Sequence, residues 1–219
     1  MRTSTKPSPR RGRPPSYDRD LALCAIRDVF WDRGFSAASL DEIGAAAGMN
    51  RPSLYGAFGD KREMYLAALR LFAVESGSEM QQALDAPTLR EALEAFYTQA
   101  IQGYASGKAG PRGCLVVCTA ATEATFDSTI RSALAAILAE VDSVVAVRIA
   151  RAQDEGDRCA AGDPNVLARL ATSVLHSCAL RARAGARRSE LLTIAQTTVE
   201  LLAGPTSGVA PVRRKSAAR

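Results

Sequence analysis

The sequence predicts an all-α protein. Along most of the 219 residues, apolar side chains recur every three or four positions, which is the spacing of one helix face. Runs in which apolar and polar residues alternate over the length of a strand are rare. Alanine is abundant and aromatic residues make up only 5% of the chain, so helices are again favoured. A chain of this length can bury a substantial core in one or two domains.

Residues 39–61 have the pattern of two short helices joined by a glycine turn. In the first helix, Ser39 is a suitable N-cap, and Glu42 three residues later completes a capping-box pattern. Gly48 ends this helix where the chain needs a left-handed or tight turn. The apolar face of the helix is formed by three residues at helical spacing: Leu40, Ile43 and Ala47.

The second of these helices is predicted to present a polar face. Asn50 can cap it, and Pro52 lies in its first turn, where a missing N–H costs little. Leu54 and Phe58 form its inward stripe. The side chains left to face outward are Arg51, Ser53, Tyr55 and Ala57. A helix-turn-helix of this size fits the major groove of DNA with its second helix as the recognition helix, so DNA binding is the leading hypothesis.

The polar residues of this motif can be sorted by their expected role on DNA. Phosphate contacts, which set the register of a protein on the duplex, are expected from Ser39, Tyr55 and Lys61. Contacts to base edges are expected from Arg51 and Ser53, with Asn50 near the helix start. Arginine suits this role because it can pair with guanine through two hydrogen bonds. The alternative for each is an ordinary solvated surface residue.

The formal net charge of +5 is unevenly distributed. Residues 1–19 carry six basic side chains against one acidic, and residues 205–219 carry four basic and no acidic, so the segment between them is mildly acidic. This pattern indicates that the chain ends contact a polyanion. Arg11 and Arg13, in Arg11-Gly12-Arg13-Pro14, are expected to enter the minor groove, whose negative potential favours arginine. For the C-terminal segment, a solvated disordered tail is an equal alternative.

Several classes of protein and site are disfavoured. No apolar run approaches the roughly 18–20 residues of a membrane span. No hydrophobic segment follows the basic N-terminus as in a secretory signal, so a cytoplasmic location is expected. Five cysteines and one histidine offer no paired zinc spacing, so neither a metal site nor a cofactor is expected. The sequence also lacks a GxSxG motif, a Walker loop and a readable nucleophile–base pair, so no enzyme is expected.

The rest of the chain is predicted to form further helices. Glycine, proline and polar clusters separate the apolar patterns. The predicted helices outside the motif span about Asp18–Arg33, Lys61–Ala83, Thr88–Ser106, Gly113–Thr122, Ser128–Asp154, Asn165–Ala184 and Ser189–Leu202.

Cys114 and Cys118 are the most informative pair in the second half of the chain. They lie four residues apart, on one face at the start of a predicted helix and beside Arg112. A helix N-terminus and a nearby cation both lower the pKa of a thiol, which favours reaction with oxidants, electrophiles or metals. The alternative is that both side chains pack in the core or line a pocket without reacting. Aromatic candidates for the walls of a ligand pocket are Phe96, Tyr97, Tyr104 and Phe126.

Several spaced groups of residues, most of them between 18 and 66, agree with one known pattern. They are Arg11-Gly12-Arg13-Pro14, Ala25, Phe30, Gly34-Phe35, Ser39-Leu40-Asp41-Glu42-Ile43-Gly44, Ala47-Gly48, Ser53-Leu54-Tyr55 and Phe58-Gly59-Asp60-Lys61. In this combination the chain resembles the TetR family of bacterial transcriptional regulators. In the second half, Arg112-Gly113-Cys114-Leu115 and Leu175-His176-Ser177 look like one subgroup of that family. Gly56 departs from the pattern, since the family often has a bulkier polar residue there, and this puts a phosphate contact from position 56 in doubt.

The resemblance implies a domain organisation and a function. We expect a disordered basic arm at 1–16, a helix-turn-helix DNA-binding domain at 17–62, a ligand-sensing and dimerisation domain at 63–204 and a disordered basic tail at 205–219. The implied partners are a double-stranded operator, a small-molecule effector, and a second copy of the chain held through the last two helices. The implied function is repression that a small molecule relieves. The pair Cys114 and Cys118 adds an electrophile or oxidant as an alternative effector.

Two other functions remain open on the sequence alone. An architectural DNA-binding protein would use the basic ends without sequence preference, whereas a repressor would bind a specific palindromic site far more tightly than competitor DNA. A small helical redox enzyme would make the helix-turn-helix pattern accidental. An activator instead of a repressor is equally compatible with the motif.

Overall fold

The computed structural model describes residues 17–107 and 110–204, and throughout this part of the chain the regular structure is helical. The predicted all-α fold is confirmed. The elements are α1 Arg19–Ala37, α2 Leu40–Ala47, α3 Arg51–Phe58, α4 Lys61–Leu84, α5 Leu89–Tyr104, a π-helical turn Val116–Ala120, α6 Ala121–Glu123, α7 Ser128–Asp154, α8 Pro164–Arg183 and α9 Arg188–Ala203. The predicted arm with Arg11 and Arg13, and the predicted tail, lie outside the described residues.

Polar N-caps start most of these helices where the sequence predicts them. The side chain of Ser39 accepts a hydrogen bond from the backbone N–H of Glu42, and the reciprocal contact completes a capping box. Equivalent boxes begin α4 and α5, while single aspartates or asparagine cap α1, α3, α7 and α8. In α1 the chain leaves helical geometry at Gly34 (φ 76°, ψ 176°), the predicted end, and then adds one further turn.

The first three helices enclose a small core together with the start of α4. Its fully buried side chains are Ile26, Phe30, Ile43, Leu54, Met64 and Tyr65. Gly44 allows the close approach of α2 to the turn, because a Cβ there would lie 2.7 Å from the carbonyl oxygen of Met49. Gly48 provides the left-handed residue (φ 63°) that directs the chain into α3. The core and the turn together fix the angle of α3.

The remaining helices form a second bundle in which α7 packs on α8 and α5 packs on α9. Helix α4 belongs to both parts, since it packs against α1 near its start and against α5 and α7 further along. None of the helices in the described part of the chain is long and apolar enough to span a bilayer.

The C-terminal end of α4 is held by an arginine of α7. Arg148 is only 4% exposed, and its guanidinium donates to the carbonyl oxygens of Leu84 (3.0 Å), Ala86 (3.2 Å) and Pro87 (3.4 Å). The last carbonyls of a helix lack partners within the helix and carry partial negative charge, so a buried cation is stabilised there. Arg148 therefore anchors the end of α4 to the second bundle.

Replacing this arginine tests the anchor. We expect Arg148→Met to lower the free energy of unfolding by about 2–4 kcal/mol, because buried carbonyls lose charged donors while the apolar stem is retained. Urea unfolding followed by circular dichroism measures the change. Arg151→Met is the matched control, since Arg151 lies one turn later on α7 and pairs only with exposed Glu155. Equal losses in the two variants would contradict the anchoring role.

Candidate nucleic-acid interface and internal cavity

Helix α3 presents its polar side to solvent because its apolar side is fixed in the core. Leu54 and Phe58 are buried, whereas Arg51 and Tyr55 are exposed, Tyr55 by 47%. The side chain of Asn50 caps the helix by accepting from the backbone N–H of Ser53 at 2.9 Å. The predicted orientation of this helix is confirmed, and its first turn is the part most open to a duplex.

Arg51 is presented to solvent but is already paired. Its Nε donates to Oδ1 of Asp41 at 2.9 Å and its Nη2 donates to Oδ2 at 2.8 Å, which joins α3 to α2. These hydrogen bonds hold the pKa of Asp41 below its usual value. Guanine accepts two hydrogen bonds from a guanidinium group, and the bonds to Asp41 do not use Nη1 or the second N–H of Nη2. Asp41 therefore fixes the position of Arg51 and leaves part of its donor set for the predicted base contact.

Two of the predicted phosphate-binding residues are also engaged within the chain. The hydroxyl of Ser39 donates to the carboxylate of Glu42 and accepts from its backbone N–H. Nζ of Lys61 lies 3.4 Å from the carbonyl oxygen of Ser36 and 4.8 Å from the ring centre of Phe35. The sequence placed both residues at helix starts and predicted the capping box that engages Ser39, but it did not reveal the partners of Lys61, which depend on the packed structure.

Side-chain contacts join the helix-turn-helix unit to the region around α6. Oγ of Ser36 donates to Oε1 of Glu123 at 2.7 Å. The hydroxyls of Tyr65 and Thr119 share a buried hydrogen bond of 2.6 Å. Burial raises the pKa of Tyr65 to about 12, so its phenol remains protonated and keeps this bond. A shift of the π-helical turn would therefore be felt at α1 and α4.

A second junction centres on Trp31 of α1. Its indole Nε1 donates to the carbonyl oxygen of Gly113 at 3.0 Å, and the guanidinium of Arg112 lies 4.1 Å from its ring centre. Arg112 also approaches the carboxylates of Asp28 (3.5 Å) and Asp32 (3.6 Å) on α1. Stacking, charge and a hydrogen bond thus fix α1 against the segment that precedes the π-helical turn.

Arg183 extends this junction to α8. Its Nη1 donates to the carbonyl oxygens of Trp31 (3.3 Å) and Arg112 (3.2 Å). Gly113 makes the approach possible with a left-handed backbone (φ 65°), since a Cβ there would lie 2.5 Å from the carbonyl oxygen of Ala179. The helix-turn-helix unit is therefore connected directly to α8.

An internal cavity of about 90 Å³ lies between α1, α4, α5 and the segment at Cys114. Aromatic side chains form much of its wall: Trp31, Phe72, Phe96 and Tyr104. Phe96 and Tyr104 lie where the sequence places a pocket wall, and their contact with a ligand stays a prediction. Trp31 and Phe72 were missed, although the position of the only tryptophan, next to the helix-turn-helix, was a usable signal.

The expectation for Phe126 is wrong within the single chain. Its side chain is 85% exposed, just before α7, and it is not part of the cavity wall. The apolar pattern around it continues into α7, whose first buried residue is Ile130. Aromatic character alone does not distinguish a wall residue from a surface residue.

The structure contradicts the expectation that the pKa values of Cys114 and Cys118 are lowered. Burial raises the pKa of Cys114 to about 12, and it also raises the pKa of Cys118. Backbone N–H groups at the helix start oppose this shift, but loss of hydration outweighs them. Arg112, the expected activating cation, stacks on Trp31 instead. Cys114 lines the cavity as a neutral thiol, and among the described residues no cluster suitable for a metal ion is found.

Comparisons with known proteins agree with this architecture. A family model described as bacterial regulatory proteins of the tetR family matches residues 22–73. The transcriptional regulator AcuR of Cereibacter sphaeroides is 30% identical over 208 residues, covering 89% of this chain and 94% of AcuR. A cysteine mutant of the TetR-family regulator CifR, solved with a 26-bp operator, is 33% identical with a TM-score of 0.80, covering 87% of this chain and all of that one. The chain belongs to the TetR family.

A further relative supports the assignment. The HTH-type transcriptional repressor ComR of Escherichia coli K12 is 28% identical over 193 residues, covering 87% of this chain and 91% of ComR. This TetR-family chain is therefore a DNA-binding transcriptional regulator with an N-terminal helix-turn-helix and a helical C-terminal part.

Binding to DNA of random sequence tests whether the Arg51–Asp41 pair limits contact with DNA. We expect Asp41→Asn to raise the affinity for a random duplex roughly three- to tenfold, because Arg51 is released and a negative charge leaves the interface. Fluorescence anisotropy at fixed salt measures the affinity. Asp154→Asn removes the same charge from an exposed position on α7 and is the control. If both variants behaved alike, the pair would have no role in limiting DNA contact.

Proposed function

We propose that this TetR-family regulator is a repressor that binds a palindromic operator as a homodimer and is released when a small molecule occupies the internal cavity. The observation that carries the proposal is the position of the cavity. Its wall contains residues of α1 and α4, the helices that support the recognition helix α3. A molecule in this space therefore contacts the helix-turn-helix unit itself. The operator complex of CifR and the description of ComR as a repressor support the same function.

We propose one role for each of the predicted domains. Residues 17–62 would bind DNA, residues 63–204 would sense the effector and dimerise, and the basic arm 1–16 and tail 205–219 would flank them. Helix α4 starts at Lys61, so the proposed boundary falls at the first turn of the helix that both parts share. The regulator acts by binding and needs no cofactor or catalysis.

The proposed DNA contacts combine α3 with the ends of its neighbours. Base edges are read by Asn50, Arg51 and Ser53, phosphates are held by Ser39, Tyr55 and Lys61, and the minor groove is entered by Arg11 and Arg13. Exposure of Arg51 and Tyr55 supports the first two groups. In a dimer, two copies of α3 would lie about 34–36 Å apart, so that they reach successive major grooves.

The proposed dimer interface is the outer face of α8 and α9. Large apolar side chains are exposed there in the single chain, by 53% to 73%: Val166, Leu170, Leu180 and Leu201. Val166, Leu170 and Leu180 recur at helical spacing on α8, and this stripe would be covered by the same stripe of a second copy. Ser173 and Ser177 lie on the same face between Leu170 and Leu180, so the stripe combines apolar and small polar side chains.

The proposed release is a shift between two populations. The effector must bind the DNA-free arrangement more tightly than the DNA-bound one, since equal affinity for both would leave the two populations unchanged. Filling the cavity displaces α4, and with it the two copies of α3 leave operator spacing. The hydrogen bonds Trp31–Gly113 and Tyr65–Thr119 are the contacts that this movement would change.

Selection of duplexes tests the repressor hypothesis. The full-length protein is used to enrich binders from a random library, and the winning sites are sequenced. We expect a palindrome with half-sites about one helical turn apart, because two identical recognition helices read it. Arg51→Ala should lose the enriched bases while keeping weak salt-dependent binding. Enrichment without any palindrome would favour the architectural alternative and would contradict the proposal.

A charge on α8 tests the dimer. We expect Leu170→Glu to convert the dimer to a monomer, since two carboxylates would face each other in the buried interface. Sedimentation velocity gives the mass, and affinity for the selected duplex should fall by at least about tenfold, because one half-site contact is lost. Val147→Glu, at a 67% exposed apolar residue on α7, is the matched control. A Leu170→Glu protein that remains dimeric would exclude this interface.

A further inference from the structure

The cavity is lined largely by aromatic rings. Trp31 and Phe72 meet edge to face with ring centres 4.8 Å apart, and Phe96 closes the α5 side. A cavity of about 150 Å³ with apolar walls is known to accept benzene, and the 90 Å³ found here is somewhat smaller.

A second cavity of about 30 Å³ touches several of the same residues, among them Phe72, Met80 and Tyr104. Methionine is unbranched and adapts its shape readily. Met80 lines both spaces, so a rotation of its side chain would join them and enlarge the volume open to a ligand.

One polar group inside this space has no partner. Tyr104 is 5% exposed, and its hydroxyl makes no hydrogen bond with any residue of 17–107 or 110–204. By contrast, the hydroxyl of Ser76 already donates to the carbonyl oxygen of Phe72 at 2.7 Å. Tyr104 lines the cavity and its hydroxyl is open to that space, so a ligand that supplies one hydrogen-bonding group can bond to it.

Charge is disfavoured throughout the cavity. Burial raises the pKa of Tyr104 and of Cys114, and it lowers the pKa of His176, which lies beside the smaller cavity. In each case the neutral form is the one that burial favours. No lysine or arginine lines the larger cavity. Its only charged wall residue is Glu79, which is exposed to solvent. An anion would therefore lose its hydration without gaining a counter-charge, and a cation would find only a carboxylate that water already solvates.

Covalent capture by Cys114 is disfavoured for the same reason. Burial raises the pKa of Cys114 above that of an unperturbed cysteine, so its thiol is protonated at pH 7. Electrophiles react with the thiolate, so the buried thiol is a poor nucleophile. Its sulfur instead offers a polarizable contact to an aromatic ligand.

We propose that the cavity binds, without a covalent bond, a small uncharged molecule with one apolar ring and one hydrogen-bonding group, which packs against Trp31 and bonds to the hydroxyl of Tyr104. The inference rests on the proposed function in taking this cavity as the effector site. It goes further by assigning the chemical class of the effector. It also assigns Cys114 to the wall of the site and gives it no reactive role.

The chain offers a direct probe of this site, because Trp31 is its only tryptophan. Emission excited selectively at Trp31 is titrated with benzyl alcohol, which has a neutral ring and one hydroxyl group. Benzoate and benzylammonium are its charged counterparts of similar size. We expect a saturable change in emission with benzyl alcohol that dilution reverses. Both ions should bind at least about tenfold more weakly, because benzoate finds no counter-charge and benzylammonium finds only the solvent-exposed carboxylate of Glu79.

Two helical glycines provide matched variants. Gly103 lines the cavity and Gly77 lies on the exposed side of α4, and at both positions a Cβ meets nothing within 4 Å. Gly103→Leu should reduce the affinity for benzyl alcohol at least about tenfold by filling the cavity, whereas Gly77→Leu should not change it. Tyr104→Phe should lower the affinity for benzyl alcohol but not the affinity for toluene. Cys114→Ala should leave the binding of benzyl alcohol reversible and its affinity similar.

Three results would overturn the inference. They are equal binding of the charged probes, unchanged affinity in Gly103→Leu, and a lasting mass increase that disappears in Cys114→Ala. The titration needs no DNA, so failure of the ligand class shows in Trp31 emission, whereas failure of the repressor hypothesis shows in the duplex selection.

Discussion

Helix α4 has to satisfy two cores at once, and the contacts between the two parts of the chain are arranged around that constraint. Near its start, Met64 and Tyr65 are fully buried beneath the helix-turn-helix. At its end, Leu84 is buried and its carbonyl is held by Arg148 of α7. A helix of 24 residues is about 36 Å long and stiff, so neither end can adjust without the other. The orientation of α3 is therefore tied to the packing of α4 against α5 and α7.

The same constraint explains why the cavity matters. Its wall combines α1 and α4 with α5, so a guest that fills it contacts helices of both parts of the chain. The hydrogen bonds Tyr65–Thr119 and Trp31–Gly113 lie at the junction of these parts, and a shift of one part against the other would alter them. In the proposed switch they are the contacts that differ between the two populations.

The sequence predicted the features that depend on residues close together in the chain. Ser39 and Asn50 cap their helices as expected, because capping depends on residues only three positions apart. Long-range packing decided the rest. The pKa of Cys114 depends on burial by distant helices, Trp31 reaches the cavity only once α1 is docked on α4, and Phe126 remains exposed although its residue type suggests a core. The fold and its recognition helix were thus readable from the sequence, whereas the cavity and its chemistry needed the tertiary structure.

Gly113 carries one more consequence. It lies where the chain passes between α1, which supports the helix-turn-helix, and α8, the proposed dimer helix; a Cβ here would be 2.5 Å from Ala179 O and 2.8 Å from Cys118 Sγ. A single added methyl group would therefore push this segment away from α8, together with α1, which is hydrogen-bonded to the segment through Trp31. In the proposed dimer such a shift would occur in both subunits and would add across the symmetry axis. The distance between the two DNA-reading surfaces therefore depends on residue 113 having only a hydrogen atom where other residues have a side chain.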